Sequence, residues 1–501
     1  MNARAALSPL QRDLSLNNLA MPTDGSVPVG SGDAERSWID TEVAGCQLGD
    51  QRLGKRLRLL LGQLEQAAGS PLPLACQDWA NTKAAYRFLS NERFSEDALL
   101  AGHFQATADR FANTPGMVLV VQDTTEFSFR WAKRETIGAI GQVPIGLDRN
   151  GKPRILTQCG LLMHGSLVVT REGLPLGLSA AQFWSRKSFK GTTELKRHVN
   201  PTRVPIEDKE SARWLSSLGH STRLLGDPGR CVFVGDREND IYEFLCAAKE
   251  AGTHFLVRTC VDRLAGDGHR TVARMMARVP ASGQHKIEVP DAKGRPTTAT
   301  LQLRFRRIHI LPPIGKQKRY PALDLTVIHA SEARKPRGRA RIEWKLVTDL
   351  PVNSMRSAIE KLLWYAQRWK IELFHKVLKS GCRIEAARLR TAERLTKLIA
   401  MFCILAWRVF WTTMVARTTP FAPARAVLTE SEAVLLDRTV RDQPSTPAAA
   451  TLSRYLMKIA CLGGYLARAR DPPPGIIVMW RGWSRLADMM LGADAMQQKC
   501  G

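Results

Sequence analysis

Two short apolar runs constrain this chain more than anything else in it. The first, VLVV at 118–121, leads into Asp123, and the second, VFV at 232–234, leads into Asp236 and then a helical pattern. Continuous apolar runs too short for a helix read as strands buried on both faces. Such strands belong inside an α/β sheet with helices over it. An Asp just past such a run sits at the carboxyl end of its strand, where sheets of this kind present ligands. One such Asp is equally a helix cap or a turn residue. Two of them, with a Glu on a later helix, make a candidate three-carboxylate site.

The later helix is predicted over 353–381, NSMRSAIEKLLWYAQRWKIELFHKVLKSG. Within it Tyr365, Arg368, Glu372 and Lys379 stand at i, i+3, i+7 and i+14. At about 100° per residue they fall at roughly 0°, −60°, −20° and −40°, on one narrow face. A carboxylate suits a cation, and a guanidinium, an ammonium and a phenol suit a phosphate beside it. The same face also reads as an exposed helix with i, i+4 ion pairs. Trp364, Trp369, Phe374 and His375 lie close by.

With 73 Lys and Arg against 47 Asp and Glu, the net charge is +26. That balance points to a polyanion, with nucleic acid the default. The charge is spread through patterned sequence rather than gathered in tails, which counts against a merely basic solvated protein. Ten cysteines show no CxxC pair and no zinc spacing, so we expect reduced thiols in a cytoplasmic protein. No run of about 18 apolar residues and no charged-then-apolar N-terminus is present, so neither a membrane span nor a signal peptide is expected.

Residues 1–36 carry no aromatic and read as a disordered leader, with order beginning near Trp38. From 38 to about 100 the pattern is helical. Asp50 is a candidate cap for a helix with Leu53, Leu57, Leu60 and Leu61 inside and Arg52, Lys55, Arg56 and Arg58 outside. A second helix is expected near 81–89, with Lys83 and Arg87 facing out and Tyr86 and Phe88 available for packing. These basic faces suit DNA or plain solvent equally well. Strand-like runs fill 155–184, a helix is expected near 207–217, and HFLVR at 254–258 reads as another core strand.

Residues 259–345 change to short alternating runs broken by Gly and Pro, a β-rich insertion with 19 Lys and Arg against 7 Asp and Glu. Trp344 near its end is either a packing residue or a platform for an unpaired base. Helices return at 393–416, with Trp407 and Trp411, then at 452–468 and 480–491 beyond a polar stretch at 436–449. Packing or self-association is the expected role of this tail.

Phosphodiester chemistry needs an activated water or 3′ hydroxyl and stabilised charge on phosphorus and leaving oxygen, which two divalent ions supply. Hard oxygen ligands suit Mg²⁺ or Mn²⁺. Asp123, Asp236 and Glu372 are the candidate ligands, and Arg368, Lys379 and Tyr365 the candidate clamp on a backbone phosphate. No nucleophile elbow, GxxxxGK[ST] loop or HExxH pair is present, which removes support for hydrolases, NTPases and zinc proteases of those kinds.

In combination these motifs resemble the bacterial DDE transposases of the insertion-sequence-four group, especially the Tn-five type. Tyr365, Arg368, Glu372 and Lys379 meet that group's Tyr-x2-Arg-x3-Glu-x6-Lys signature within YAQRWKIELFHKVLKSG. VVQDTTEFSFR resembles its first-Asp block and VGDRENDIY its second. LGDQRLGKRL and KAAYRFLSN resemble its end-binding domain, and CLGGYL part of its dimerisation region. The resemblance spans about 38–490.

It implies an α/β fold, an RNase-H-like mixed-sheet catalytic core with a β-rich insertion, flanked by helical N- and C-terminal domains. The divisions expected are a leader at 1–36, an end-binding domain at 37–105, a catalytic domain at 106–400 with its insertion at about 259–345, and a dimerisation region at 401–501. The implied activity is cut-and-paste movement: nicking, hairpin formation, hairpin opening and strand transfer, with two Mg²⁺ or Mn²⁺ ions per site. The implied partners are transposon-end DNA, target DNA and a second copy of the chain, in the bacterial cytoplasm at the nucleoid and away from membrane. By position, Trp344 would stack on a flipped base, Trp369 would probe the displaced base, and Arg258 would lie near DNA. Two alternatives stay open: a metal-dependent DNA nuclease that cannot join strands, and a non-catalytic DNA-binding remnant acting as an inhibitor.

Overall fold

The computed structural model of the chain describes residues 38–497 apart from 68, 150, 187–203, 291–295, 337–338, 443–450 and 469–470. The expected leader, and residues 443–449 of the polar stretch, lie outside the described residues.

Five helices come first: α1 (Trp38–Val43), α2 (Gln51–Gln66), α3 (Leu72–Cys76), α4 (Trp79–Leu89) and α5 (Glu96–Ala112). The Asp50 carboxylate accepts from the Arg52 amide at 2.8 Å and starts α2. Leu57, Leu60, Leu61 and Leu64 form its buried stripe, with Leu53 half-buried against it. Asp78 caps α4 by accepting from the Asn81 amide, which moves the start back to Trp79. Phe88 packs inside, whereas Tyr86, expected to pack, is exposed alongside Lys83 and Arg87. The helical run also extends past the expected limit near 105. α5 continues to Ala112, and its buried His103 accepts at Nε2 from the Leu178 amide of the sheet.

Strands β1 (Val118–Ser128), β2 (Ala139–Leu147), β3 (Pro153–Thr170) and β4 (Pro175–Trp184) follow, with the short α6 (Arg134–Ile137) between the first two. Then come α7 (Ala212–Leu225), β5 (Cys231–Gly235), α8 (Tyr242–Glu250) and β6 (His254–Arg258). The helix expected at 207–217 is thus a 3-10 turn at Ile206–Asp208 followed by α7. The insertion holds β7 (Leu264–Ala265), β8 (Arg270–Thr271), α9 (Val272–Ala277), β9 (Gly283–Pro290), β10 (Pro296–Ile310) and β11 (Leu323–Glu332), and leads to β12 (Glu343–Thr348).

All of these strands join one sheet, in the order β2-β3-β1-β5-β6-β12-β11-β10-β7-β8, with β4 on β3 and β9 on β10. The inserted strands therefore continue the main sheet, because β12 pairs antiparallel with β6. β1, β5 and β6 are parallel neighbours, and the rest pair antiparallel. This is a mixed α/β fold consistent with an RNase-H-like core.

The strand period of two assigns side chains to layers. Leu119, Val121, Val232 and Val234 enter one core, and Val118, Val120, Cys231 and Phe233 the other. α7 and α8 close the second layer through Trp214, Leu218, Phe244 and Leu245. Helices α10 (Met355–Ala366), α11 (Trp369–Lys376) and α12 (Ala392–Thr418) contribute to the first.

The segment 353–381 is therefore not one regular helix. At its middle the amides of Gln367, Arg368, Lys370 and Ile371 bond three residues back, a tight turn between α10 and α11. Gly173, at φ +90°, presses on this junction, and a Cβ there would collide with Gln367 and stand 2.7 Å from Lys370 Cε. At the other end Val377–Gly381 opens into a π-helical turn. One chain thus tightens and then widens within fifteen residues, from Gln367 to Gly381, and the 100° register does not hold across it.

α12 has the length and hydropathy of a membrane span over Ala392–Val415, at a mean of 1.8. Lys397 and Arg408 interrupt its apolar run, which is why no span was expected there. The segment is 83% buried inside the protein, so it is the core helix of the fold. α13 (Glu430–Thr439), α14 (Leu452–Leu462) and α15 (Ile476–Gln497) complete the chain. α14 stops six residues before the expected 468 because Gly463 and Gly464 end it, the latter at φ +93°.

Candidate active site

β1 and β5 run parallel with Val121 opposite Val234. Asp123 stands two residues beyond Val121 within β1, and Asp236 two beyond Val234, just past the end of β5. Both share the parity of the valines that face the first core, so both carboxylates emerge on the side covered by α11, whose Ile371 and Phe374 pack there.

Asp123 lies within β1, which runs on to Ser128, so it does not end its strand as expected. It accepts from the Thr124 amide at 2.8 Å, whereas Asp236 follows β5 and caps the 3-10 turn Arg237–Asn239 by accepting from the Glu238 amide at 2.8 Å. A local cap and the presentation of a carboxylate coexist at Asp236.

Glu372 lies in the first turn of α11 and accepts from Arg368 Nη2 at 2.7 Å. Burial pushes the Asp123 carboxyl up to about 7; Arg368 opposes the rise, while Asp236 and Glu372 add to it. Burial also raises Glu372, with Arg368 opposing and Asp236 adding. Burial works against the charge on Arg368, but Tyr365, Glu372, Asp123 and Asp236 outweigh it and raise its pKa. One guanidinium thus sits among three carboxylates that repel one another. As arranged, no three His, Cys, Asp or Glu among the described residues stand ready to hold a metal ion. The three carboxylates influence one another and Arg368 electrostatically, and their hard oxygens are the donor type that suits a divalent cation.

Tyr365 is buried, and burial raises its pKa, opposed by Arg368 and Arg258. Its ring meets Trp344 edge-on at 6.0 Å. Arg258 donates to the Glu343 carbonyl at 3.1 Å, beside Trp344. Lys379 stands in the π turn, where burial lowers its pKa and Glu385, Glu126 and Asp123 oppose that. Its ammonium lies 5.9 Å from the Phe127 ring. Trp369 follows Arg368, whose guanidinium is 5.1 Å from the indole. Trp344 and Trp369 line one small apolar pocket with His285, Ile287, Leu362 and Ala366.

Three neighbours were not assigned a part from sequence. His375, one turn past Glu372, is buried with Nδ1 4.0 Å from Asp123 Oδ2, and burial pushes it down to about 3. Its i+3 spacing from Glu372 was the available signal. Buried His164 meets the Thr124 hydroxyl at 3.0 Å. Arg213 donates to the same hydroxyl at 3.1 Å and to Glu238 at 3.1 Å, so it ties strand β1 beside Asp123 to the 3-10 turn after Asp236. Only the fold brings it there.

Two family models match the chain. Residues 35–94 match the transposase DNA-binding model, and residues 215–407 match the transposase DDE domain. The second span contains Asp236, Glu372, Tyr365, Arg368, Lys379, Arg258, Trp344 and Trp369, whereas Asp123 lies between the two spans. A DNA-binding segment followed by a DDE domain makes this chain a DDE transposase.

Proposed function

We propose that the chain moves a DNA element by cutting and pasting, in the manner of the insertion-sequence-four group. It would nick at the element's ends, form and reopen a hairpin, and transfer the freed ends to a target. The observation that carries the reading is the placement of Asp123 within β1 and of Asp236 just past the parallel neighbour β5, with Arg368 paired to Glu372 and drawn to both Asp carboxylates.

In this reading Asp123, Asp236 and Glu372 hold two Mg²⁺ or Mn²⁺ ions. Bound there, the ions supply Lewis acidity at phosphorus and lower the pKa of the attacking hydroxyl. With Glu372 committed to a cation, Arg368 would be free to hold, with Tyr365 and Lys379, a phosphate of the strand not being cut. A guanidinium suits this because it can hold phosphate with two parallel hydrogen bonds. Arg258 backs Tyr365, and the small apolar pocket that Trp344 and Trp369 line would have to widen to accept an unstacked base. α4 offers Trp79, Lys83, Tyr86 and Arg87 on its exposed side as part of the surface for the element's end. Two copies of the chain would pair the two ends.

The test is incubation with labelled inverted-repeat ends, taken from the DNA bordering the gene, in Mg²⁺. Hairpin-ended excision products are expected. Open-ended cuts without joining would reduce the activity to a nuclease, and binding without cutting in either metal would leave a DNA-binding remnant. Trp344→Ala is expected to slow hairpin formation more than the first nick. Equal slowing of both steps would return the indole to a packing role.

A further inference from the structure

Beyond the residue pair Ser128 and Gly160, β1 no longer covers β3. From there to its start at Pro153, β3 has β2 as its strand partner, so the two form a projecting ribbon. Asp123 stands opposite Gly165, and Pro153 is twelve residues farther along β3. At about 3.3 Å per residue the tip lies about 40 Å from that carboxylate, a little more than one turn of duplex.

The ribbon is unusual in what it exposes. Ile145 is 54% exposed, Leu147 68%, Ile155 59% and Leu156 51%, where no other described strand pairs with the two. Arg149, Lys152 and Arg154 cluster at the tip, all exposed. Among the described residues none of the three pairs with a carboxylate. The nearby Asp148 is engaged in the turn, where it accepts from the Lys152 amide at 2.8 Å. An apolar surface studded with unpaired cations is poorly suited to water or to its own copy. Self-pairing about a two-fold axis would set like charges against each other. It suits a polyanion with apolar walls. Two paired strands are also the width that a major groove admits. The register shifts at Ala139/Gly141 and Pro144/Gly146 add twist, which a ribbon needs to follow that groove.

Position in the sheet says which DNA. The basic insertion is at one end of the strand order and the ribbon at the other, with Asp123 and Asp236 between. We propose that the β2–β3 ribbon is a DNA-binding arm that grips duplex on the far side of the scissile phosphate from the insertion. Arg149, Lys152 and Arg154 neutralise phosphates there, and Leu156, on the same face of β3 as Arg154, presses on the groove. This rests on the transposase reading.

The test uses the full chain and a random-sequence 40-bp duplex, with affinity measured across a salt series. Each phosphate left unneutralised reduces the slope of log K against log salt by about 0.9, so Arg149→Ala/Lys152→Ala/Arg154→Ala should be shallower by about 2.7. Arg149→Lys/Arg154→Lys should keep the wild-type slope. Leu156→Ser should weaken binding at an unchanged slope. A triple variant with the wild-type slope overturns the arm and leaves the transposase reading standing. So does an unchanged slope with an altered oligomeric state in the absence of DNA, which would make the ribbon a protein contact. A wild-type chain that does not bind duplex would overturn the transposase reading and the arm with it.

Discussion

Arg368 and Glu372 hold one another in a way that suits waiting rather than catalysis. Their ion pair places a guanidinium among three carboxylates and keeps Glu372 engaged. Glu372→Gln should release Arg368 and remove one oxygen charge while leaving the DNA-binding helices untouched. End binding is expected to persist, and cutting to fall by at least about 10⁴-fold, the scale for one member of a catalytic unit. Gel-shift and cleavage assays on the same duplex check this, and retained cutting would remove Glu372 from the site. Protons compete for the same oxygens. With its folded pKa raised from 3.8 to about 7, Asp123 contributes stability at low pH that is lost as pH climbs from about 4 to about 7. A cation that needs the ionised form binds better above that window. The rise in unfolding midpoint caused by Mg²⁺ should therefore be larger at pH 8 than at pH 6, and equal rises would sink the assignment. The sequence singles out Asp123, Asp236 and Glu372 as candidates because short apolar runs and a spaced signature are local patterns. It does not single out Arg213 and His164, because their partners lie 89 and 40 residues away and meet them only through sheet pairing.

Among the elements, the segment from Met355 to Gly381 departs furthest from what its spacing suggests. Apolar periodicity reports a helix but carries little trace of the tight turn at Gln367–Ile371 or of one extra residue in a π turn. That extra residue matters, since it sets where Lys379 points. The π turn is held from two sides. A Cβ on Gly69 would stand 2.7 Å from the Gly381 carbonyl, and one on Gly381 would stand 2.9 Å from the Trp480 indole. Gly381→Ala should thus push α15 and the turn apart and destabilise the chain by about 1–3 kcal/mol, the usual range for overpacking. In a Trp480→Ala background Gly381→Ala should cost less, because the indole it meets is gone. Denaturant midpoints for the two single variants and the double measure the coupling, and strictly additive effects would show that the turn and α15 are independent. The strand pairing of the insertion was equally hard to foresee. Alternation marks β9 to β11 as strands, but nothing local says that β12 returns to β6 and makes them part of the main sheet.

At the scale of the whole molecule, expectations drawn from the sequence divided the chain into an end-binding part, a catalytic part and a C-terminal part. The core does not follow those divisions. One apolar cluster runs from Ile39 and Leu57 in the first helices through Val121, Val234 and Phe374 to Ile459, Trp480 and Leu486 in the last. α12 lies within it, with Trp407 donating to the Pro175 carbonyl at 3.1 Å and Arg408 lying 5.4 Å from the Trp38 ring. Gly463 and Gly482 let α14 and α15 cross closely; a Cβ on Gly482 would run into the Ile459 carbonyl. Parts that share a core unfold together when the shared contacts outweigh those within each part. The full chain should therefore melt in a single cooperative transition, with calorimetric and van't Hoff enthalpies in agreement. A chain ending at residue 442 would expose Leu436, Met414 and the lining of the π turn, and should lose that transition rather than keep a stable catalytic part. Two separate transitions in the full chain, or a shortened chain that melts at the original midpoint, would show the C-terminal helices to be a detachable module. In that case their packing against Gly381 could not set the position of Lys379.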